Sequence, residues 1–291
     1  MTLAAVIVFL NEEKHLPRLL RSLEAQERTP DLLLFCDDGS DDLSPELVAE
    51  FCEHHGYART VTRPKRARDA DRLAQAAELV GFQWALERID GHYDVVAKLD
   101  GDIDFTPSFF NTIMGKLEAE DNLGICGGPL SMERGGQLVP EPSGRWHVRG
   151  ATKFYRTACY EQIAPLPTFL GWDTIDEVRA QAHGWKVENA VFPDRNAIHL
   201  RPTGSYDGLL RGYRRAGVAA WAYGADPLQV VGSSLVRMSR KPRLIGGLIY
   251  LCAWAGAALR RAPRAEPEVL RLMRRQQRWR IWRRLSPGLS A

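Results

Sequence analysis

Apolar residues in the first third of the chain fall in short blocks that alternate between two periodicities. Leu3 to Phe9 is an unbroken apolar run, which predicts a buried strand. Asn11 then reads as a helix N-cap, with Glu12 and Glu13 in the first turn. Leu16, Leu19, Leu20 and Leu23 give that helix one apolar face through Gln26. Leu32 to Cys36 predicts a second strand, 37–42 a turn, Leu43 to His55 a helix and Tyr57 to Thr62 a third strand. A longer helix is predicted over 69–88, with Leu73, Ala76, Ala77, Val80 and Trp84 on one side, followed by a strand over Val95 to Leu99. Strands alternating with helices predict an α/β fold with an open, mainly parallel sheet. Ligands of such sheets sit beyond the carboxyl ends of the strands. Three polar clusters stand at those ends, Asn11-Glu12-Glu13, Asp37-Asp38 and Asp100/Asp102, so they are expected to meet at one edge.

The middle of the chain is mixed. Leu123 to Leu130 predicts a strand running into a loop, and Gly135 to Gly144, rich in Gly and Pro, a mobile loop. Ala151 to Tyr155 predicts a short strand, Gly171 onward a helix ending near Gly184, and Trp185 to Phe192 another strand, with Ile198 to Arg201 following. From Ser205 only helical patterns occur, separated at Asp226-Pro227 and Lys241-Pro242. Leu244 to Leu259 is uncharged but falls short of the roughly 20 residues a spanning helix needs. A core helix, a re-entrant segment and an interfacial helix all fit it.

Charge changes this picture. The net charge of +3 conceals a split: 201–291 holds 18 basic and 4 acidic residues, a balance of +14, against −11 for 1–200. The last third therefore seeks an anionic partner. Leu270, Met273, Trp279 and Trp282 stand among seven arginines in 267–285, but no nucleic-acid motif accompanies them. A basic helix beside an uncharged one fits an anionic membrane surface better, with a solvated helix packed on the core as the plainer reading. Five scattered cysteines without Cys-x-x-Cys spacing argue against a zinc site or disulfide frame and for a reducing compartment. No secretory signal is legible at the start.

The most specific chemistry is Asp100-Gly101-Asp102 at the end of a predicted strand. Carboxylates at i and i+2 point the same way off an extended chain and can grip one divalent cation, which leaves positions open for substrate phosphates. An acidic turn ahead of a helix starting at Thr106-Pro107 is the plainer alternative. Asp37-Asp38-Gly39-Ser40 is either a tight turn or a contact to a base or ribose. Asp173 stands at a helix start, as a dipole-stabilised acid or as a general base, with Asp176 and Glu177 as rivals. His199 is either a metal ligand or an ordinary core or surface residue.

Together these pieces resemble the family-2 glycosyltransferases with the GT-A fold, over roughly residues 3–202. Val6 to Glu13 with Leu16 to Leu23 is similar to that family's opening strand and helix, and Asp37-Asp38-Gly39-Ser40 to its second signature. Asp100-Gly101-Asp102 is similar to its Asp-x-Asp, and Asp173 with Arg179 and Gly184 to its Glu-Asp…Arg element. The resemblance implies a Rossmann-like mixed sheet flanked by helices over 1–204, with 205–291 as a basic helical extension. It implies that Phe9, Leu10 and Glu13 line a nucleotide pocket, that Asp37 or Asp38 contacts the base and ribose, and that Arg72 faces the diphosphate. Asp102 would hold Mn²⁺ or Mg²⁺, with Asp100 near ribose and metal and His199 as an additional ligand. Asp173 would be the catalytic base of an inverting transfer from a nucleotide sugar, UDP-sugar by default, to a hydroxyl on a glycan or lipid-linked acceptor in surface polysaccharide synthesis.

Three departures stand out. Trp172 replaces the usual Glu, Leu10 a common aromatic and Val8 a common proline. The Gln-x-x-Arg-Trp signature of processive synthases is absent, so one sugar per encounter is expected. The expected location is cytoplasmic, peripheral on the inner face of the membrane, with no nucleic-acid partner. A sugar-nucleotidyltransferase and a catalytically inactive scaffold are the competing readings.

Overall fold

Strand β1 (Leu3–Phe9) is buried along its whole length because it pairs in parallel on both sides, with β2 (Leu32–Asp37) and β4 (Val95–Asp100). The computed structural model describes residues 1–64, 71–141, 147–201 and 208–285. Leu3, Ala5, Ile7 and Phe9 face a core shared with α1 (Leu16–Glu24), α2 (Ser44–His54) and α4 (Phe109–Ala119). The other face lies under α3 (Ala77–Leu86), so closely that a Cβ at Gly81 would sit 2.7 Å from Val8 Cγ1. β3 (Ala58–Thr62) adds to β2 in parallel. On the far side β9 (Thr152–Arg156) runs antiparallel to β4 and β6 (Leu123–Gly127), and β10 (Lys186–Asn189) closes the sheet beside β6. The seven-stranded order is β10-β6-β9-β4-β1-β2-β3. A smaller sheet joins β5 (Ile103–Asp104), β11 (Ala197–His199), β7 (Leu130–Arg134) and β8 (Gln137–Pro140) in the order β5-β11-β7-β8. The short α5 (Thr157–Ile163) follows β9.

The chain divides into two compact units. Both sheets belong to the first, 1–165 with 183–202; the second comprises 166–182 and 203–291. In the second, α6 (Trp172–Ala182) packs Ile175 and Val178 against Val269 and Met273 of α10 (Pro267–Leu285). Arg179 pairs with Glu266 across the same contact. α7 (Leu209–Ala222), α8 (Pro227–Met238) and α9 (Ile245–Leu259) share a core of Ala220, Ala225, Val230 and Tyr250. Glycines let these helices approach closely: a Cβ at Gly217 would lie 2.3 Å from the Tyr250 carbonyl. Asp226 caps α8 by accepting from Leu228 N at 3.0 Å, and Arg278 holds the same carboxylate at 2.6 Å.

The structure corrects several local expectations. Asn11 is not an N-cap: it adopts left-handed backbone (φ 54°), which Asn tolerates, and α1 starts at Leu16 with Pro17 in its first turn. The helix expected over 69–88 is interrupted at Ala76 (φ 48°): Arg72–Gln75 forms a 3₁₀ turn, and α3 begins only at Ala77. Part of the loop expected over 135–144 is the Gly135-Gly136 turn and second strand of the β7–β8 hairpin. Both glycines have positive φ, the backbone a tight hairpin demands.

Candidate functional site

The carboxyl ends of β1, β2 and β4 are locked together by their turns. In register, Val8 stands opposite Asp100 and Phe9 opposite Asp37. The turn after β1 is stapled to the turn after β2. Asn11 N donates to Ser40 Oγ at 3.0 Å, Asn11 Nδ2 to Asp41 at 2.8 Å, and Asp41 N to Asn11 Oδ1 at 2.9 Å. The left-handed backbone at Asn11 serves this exchange. Glu12 N reaches Ser44 Oγ at 2.7 Å, and Glu13 accepts from Leu43 N at 3.3 Å. The polar clusters after β1 and β2 thus form one edge.

Asp102 joins this edge through a long-range device. β11 pairs antiparallel with β5, with His199 opposite Ile103, and Leu200 N donates to Asp102 O at 2.9 Å. Residues near 100 and near 200 are thereby laid side by side. His199 Nε2 comes 3.5 Å from Asp102 Oδ2, and Arg201 Nη2 comes 3.0 Å from the same oxygen. Arg201 also holds Glu12, whose other oxygen meets His15 Nδ1 at 2.8 Å. The site is therefore a chain of alternating charge, Glu12–Arg201–Asp102–His199, buried except for the partly exposed Arg201. It continues past the imidazole, where Nδ1 lies 3.4 Å from Glu141, which Arg149 holds at 2.8 Å.

Protonation follows from these contacts. Burial pushes His199 down, but the carboxylates of Asp102 and Glu141 outweigh it and raise the imidazole to about 9. Burial pushes Asp102 up, but His199 and Arg201 hold its carboxyl below the usual range. Glu12 is raised, because burial exceeds the pull of Arg201.

The pair Asp102–His199 fits a divalent cation. Its 3.5 Å separation lies within the roughly 4.2 Å that two ligands at about 2.1 Å can span. Glu141 accepts at Nδ1 and so presents Nε2, whose proton a cation would displace, beside Asp102, the carboxylate–histidine arrangement that orients metal-binding imidazoles. Among the described residues no three His, Cys, Asp or Glu side chains gather as a complete cage, so a cation held by this pair would take its remaining ligands from substrate or water.

The other expected site residues are placed as follows. Asp100 receives the ammonium of Lys98, a buried lysine standing opposite a second one, Lys153, across β4 and β9. Gly101 between the two aspartates is required by space: a Cβ there would lie 2.9 Å from Phe9 Cβ. The Phe9 ring is committed to the core, and its carbonyl accepts from Asp38 N at 2.9 Å. Leu10 is half-exposed at the strand end. Asp37 folds back on its own turn, accepting from Ser40 N at 2.8 Å, while Asp38 pairs with the buried Arg63. The side chain of Arg72 lies outside the described residues. Asp173 stands half-buried in the first turn of α6, in the other compact unit. Its rivals Asp176 and Glu177 are 0% and 2% exposed, so Asp173 is the accessible acid of the three.

Lys98, Arg63, Glu141 and Arg149 were not singled out from the sequence. Arg201 carried a legible signal: His199-Leu200-Arg201 repeats the i, i+2 spacing of Asp100-Gly101-Asp102 and follows a short apolar pair.

Comparison with solved structures shows the same fold in several glycosyltransferases. The mannosyltransferase PcManGT from Pyrobaculum calidifontis, solved with GDP-Man and Mn²⁺, is similar at 14% identity over 99% of this chain and 81% of that one, with a TM-score of 0.53. GalNAc-T7 with UDP, GalNAc and Mn²⁺ is similar at 11% identity over 97% of this chain and 57% of its own length, with a TM-score of 0.60. TarS 1–349 of S. aureus with UDP-GlcNAc is similar at 13% identity over 94% and 78% of the two chains, with a TM-score of 0.50. No curated protein matches. The family model described as Glycosyl transferase family 2 matches residues 4–166, more than half of the chain. The chain therefore belongs to glycosyl transferase family 2 and is built on the GT-A fold.

Proposed function

We propose that the chain moves one sugar per encounter from a nucleoside-diphosphate donor, UDP-sugar first, to a hydroxyl of a glycan or lipid-linked acceptor, with inversion at the anomeric carbon. The observation that carries this reading is the buried Asp102–His199 pair at 3.5 Å, oriented by Glu141 at the carboxyl edge of the sheet. Asp102 and His199 would hold the cation. An imidazole nitrogen beside a carboxylate favours Mn²⁺ over Mg²⁺, which prefers oxygen ligands throughout. When bound, the cation supplies neutralising charge for a departing diphosphate. Asp100, which Lys98 holds, would take a ribose hydroxyl close to the metal. The turns after β1 and β2 are stapled to each other, and in this reading the Phe9–Leu10 backbone, Glu13 and the Asp37–Asp38 turn would meet the nucleoside. Asp173 is the candidate base. As the acceptor oxygen bonds to the anomeric carbon, the bond to the diphosphate breaks, and the acceptor proton passes to the Asp173 carboxylate. Residues 1–204 form the transferase domain in this reading. Residues 205–291 form a basic extension that docks at the inner face of a membrane, where a lipid-linked acceptor is presented for polysaccharide synthesis.

The test is donor turnover with a panel of nucleotide sugars, Mn²⁺ and candidate acceptors. Asp102→Ala and Asp173→Asn are each expected to abolish transfer. Turnover that continues unchanged in Asp102→Ala overturns the site. Calorimetric titration with UDP, with and without Mn²⁺, addresses the inactive-scaffold reading favoured by Trp172. A scaffold binds UDP without metal linkage, or not at all.

A further inference from the structure

We infer that the outward face of the α8–α9 helix pair is the surface by which the chain lies on an anionic bilayer. The inference rests on the membrane reading above and gives it an address. On α8, Leu228, Val231 and Leu235 are exposed at helical spacing, the first at 68% and the last at 61%, with Val236 beside them. On α9, Ile245 and Leu248 are half-exposed in the first two turns, and Leu259 at the far end is 87% exposed.

The opposite faces are used up inside the unit. Ser234 Oγ donates to Gly247 O at 2.9 Å, and a Cβ at Gly247 would lie 2.4 Å from both the Ser234 carbonyl and Met238 Cγ. A Cβ at Gly246 would lie 2.6 Å from the Tyr213 ring. The helix pair is thus fixed against α7, with its apolar stripes turned to solvent.

Charge selects the occupant. From Pro227 to Ala265 there is no acidic residue, and there are seven basic ones. Arg240, Lys241 and Arg243 are exposed in the turn between the helices, and Arg260 and Arg261 after α9. Arg237 is turned inward over the Tyr250 ring at 4.2 Å. A second copy meeting this face with the same face would bring the same positive charge to the interface with no acid to meet it. Anionic headgroups meet it directly, while the leucines enter the acyl boundary. The 15 residues of α9 extend about 22 Å, short of the roughly 30 Å hydrocarbon layer. Among the described residues no helix is long and apolar enough to cross a membrane. The pair therefore lies in the interface plane.

Flotation of the full chain with phosphatidylcholine vesicles, with and without phosphatidylglycerol, tests this. Binding is expected only with phosphatidylglycerol at low salt. The double variant Leu235→Gln/Leu248→Gln should weaken it about tenfold or more, with an unchanged melting temperature. The triple variant Arg240→Gln/Lys241→Gln/Arg243→Gln should lose about fivefold per residue. UDP titration of the same variants should match the parent chain, which keeps the transferase reading separate. Flotation that survives both variants overturns this face while sparing the membrane reading; no flotation of the parent chain overturns both. If the apolar variant instead converts a dimer to a monomer in sedimentation and leaves flotation intact, a second copy covers the face and the inference fails.

Discussion

Raising the pH of the metal-free protein from 6 to 10 should remove a stabilising term that belongs to His199. The imidazole is buried between Asp102 at 3.5 Å and Glu141 at 3.4 Å, and is raised from 6.5 to about 9. The sign follows from proton linkage. Below pH 6.5 the imidazole is protonated in both folded and unfolded chains, and the full stabilisation is present. Between 6.5 and 9 the unfolded chain gives up its proton first, so stability falls; above 9 the term is gone. At about 1.4 kcal/mol per pH unit, the loss across the window is on the order of 3 kcal/mol. That is a large part of the roughly 5–15 kcal/mol that holds a typical protein together. Urea unfolding in EDTA at intervals through this range measures it, with His199→Gln as the reference that cancels other titrations. The parent should lose about 3 kcal/mol more than the variant between pH 6.5 and 9. Parallel curves for the two proteins, or a loss confined below pH 6.5, would refute the assignment of the proton to this contact. The same proton competes with a cation for Nε2, so apparent Mn²⁺ affinity should rise about tenfold per pH unit until about pH 9.

Three further outcomes follow from the same geometry. Glu141→Gln keeps the shape but removes the charge at His199 Nδ1, and should weaken Mn²⁺ binding in the presence of UDP by about 10–100-fold, read by electron paramagnetic resonance of free Mn²⁺; unchanged affinity would count against the orienting role. Arg201→Gln leaves the buried Glu12 and Asp102 without the guanidinium they share, and should cost about 3–5 kcal/mol in EDTA, with Mn²⁺ raising its melting temperature more than the parent's. Gly101→Ala puts a methyl 2.9 Å from Phe9 Cβ and 3.4 Å from the Val8 carbonyl, and should cost about 1–3 kcal/mol in urea unfolding while weakening UDP binding.

The sequence alone determined the skeleton of the transferase sheet. Leu3–Phe9 is an unbroken apolar run and Val95–Leu99 one interrupted only by Lys98; runs this short between turn signals fit strands buried on both faces, and acids directly after them then stand at the sheet's carboxyl edge. The helical tail and its charge were equally legible, because period and charge are local properties. What only the tertiary structure decided is which remote groups stand beside Asp102. His199 and Arg201 arrive through a pairing in which β5 has two residues and β11 three, too short for any periodic signal. Glu141 arrives at the end of a hairpin that its Gly and Pro content disguised as a loop. The left-handed turns at Asn11 and Ala76 escaped for a related reason: a single backbone reversal is set by what it hydrogen-bonds or packs against, as Asn11 shows with Ser40 and Asp41. Local pattern records burial and turn chemistry. The balance of buried charges, in which Arg201 joins Glu12 to Asp102, depends on distances through space that spacing along the chain does not encode.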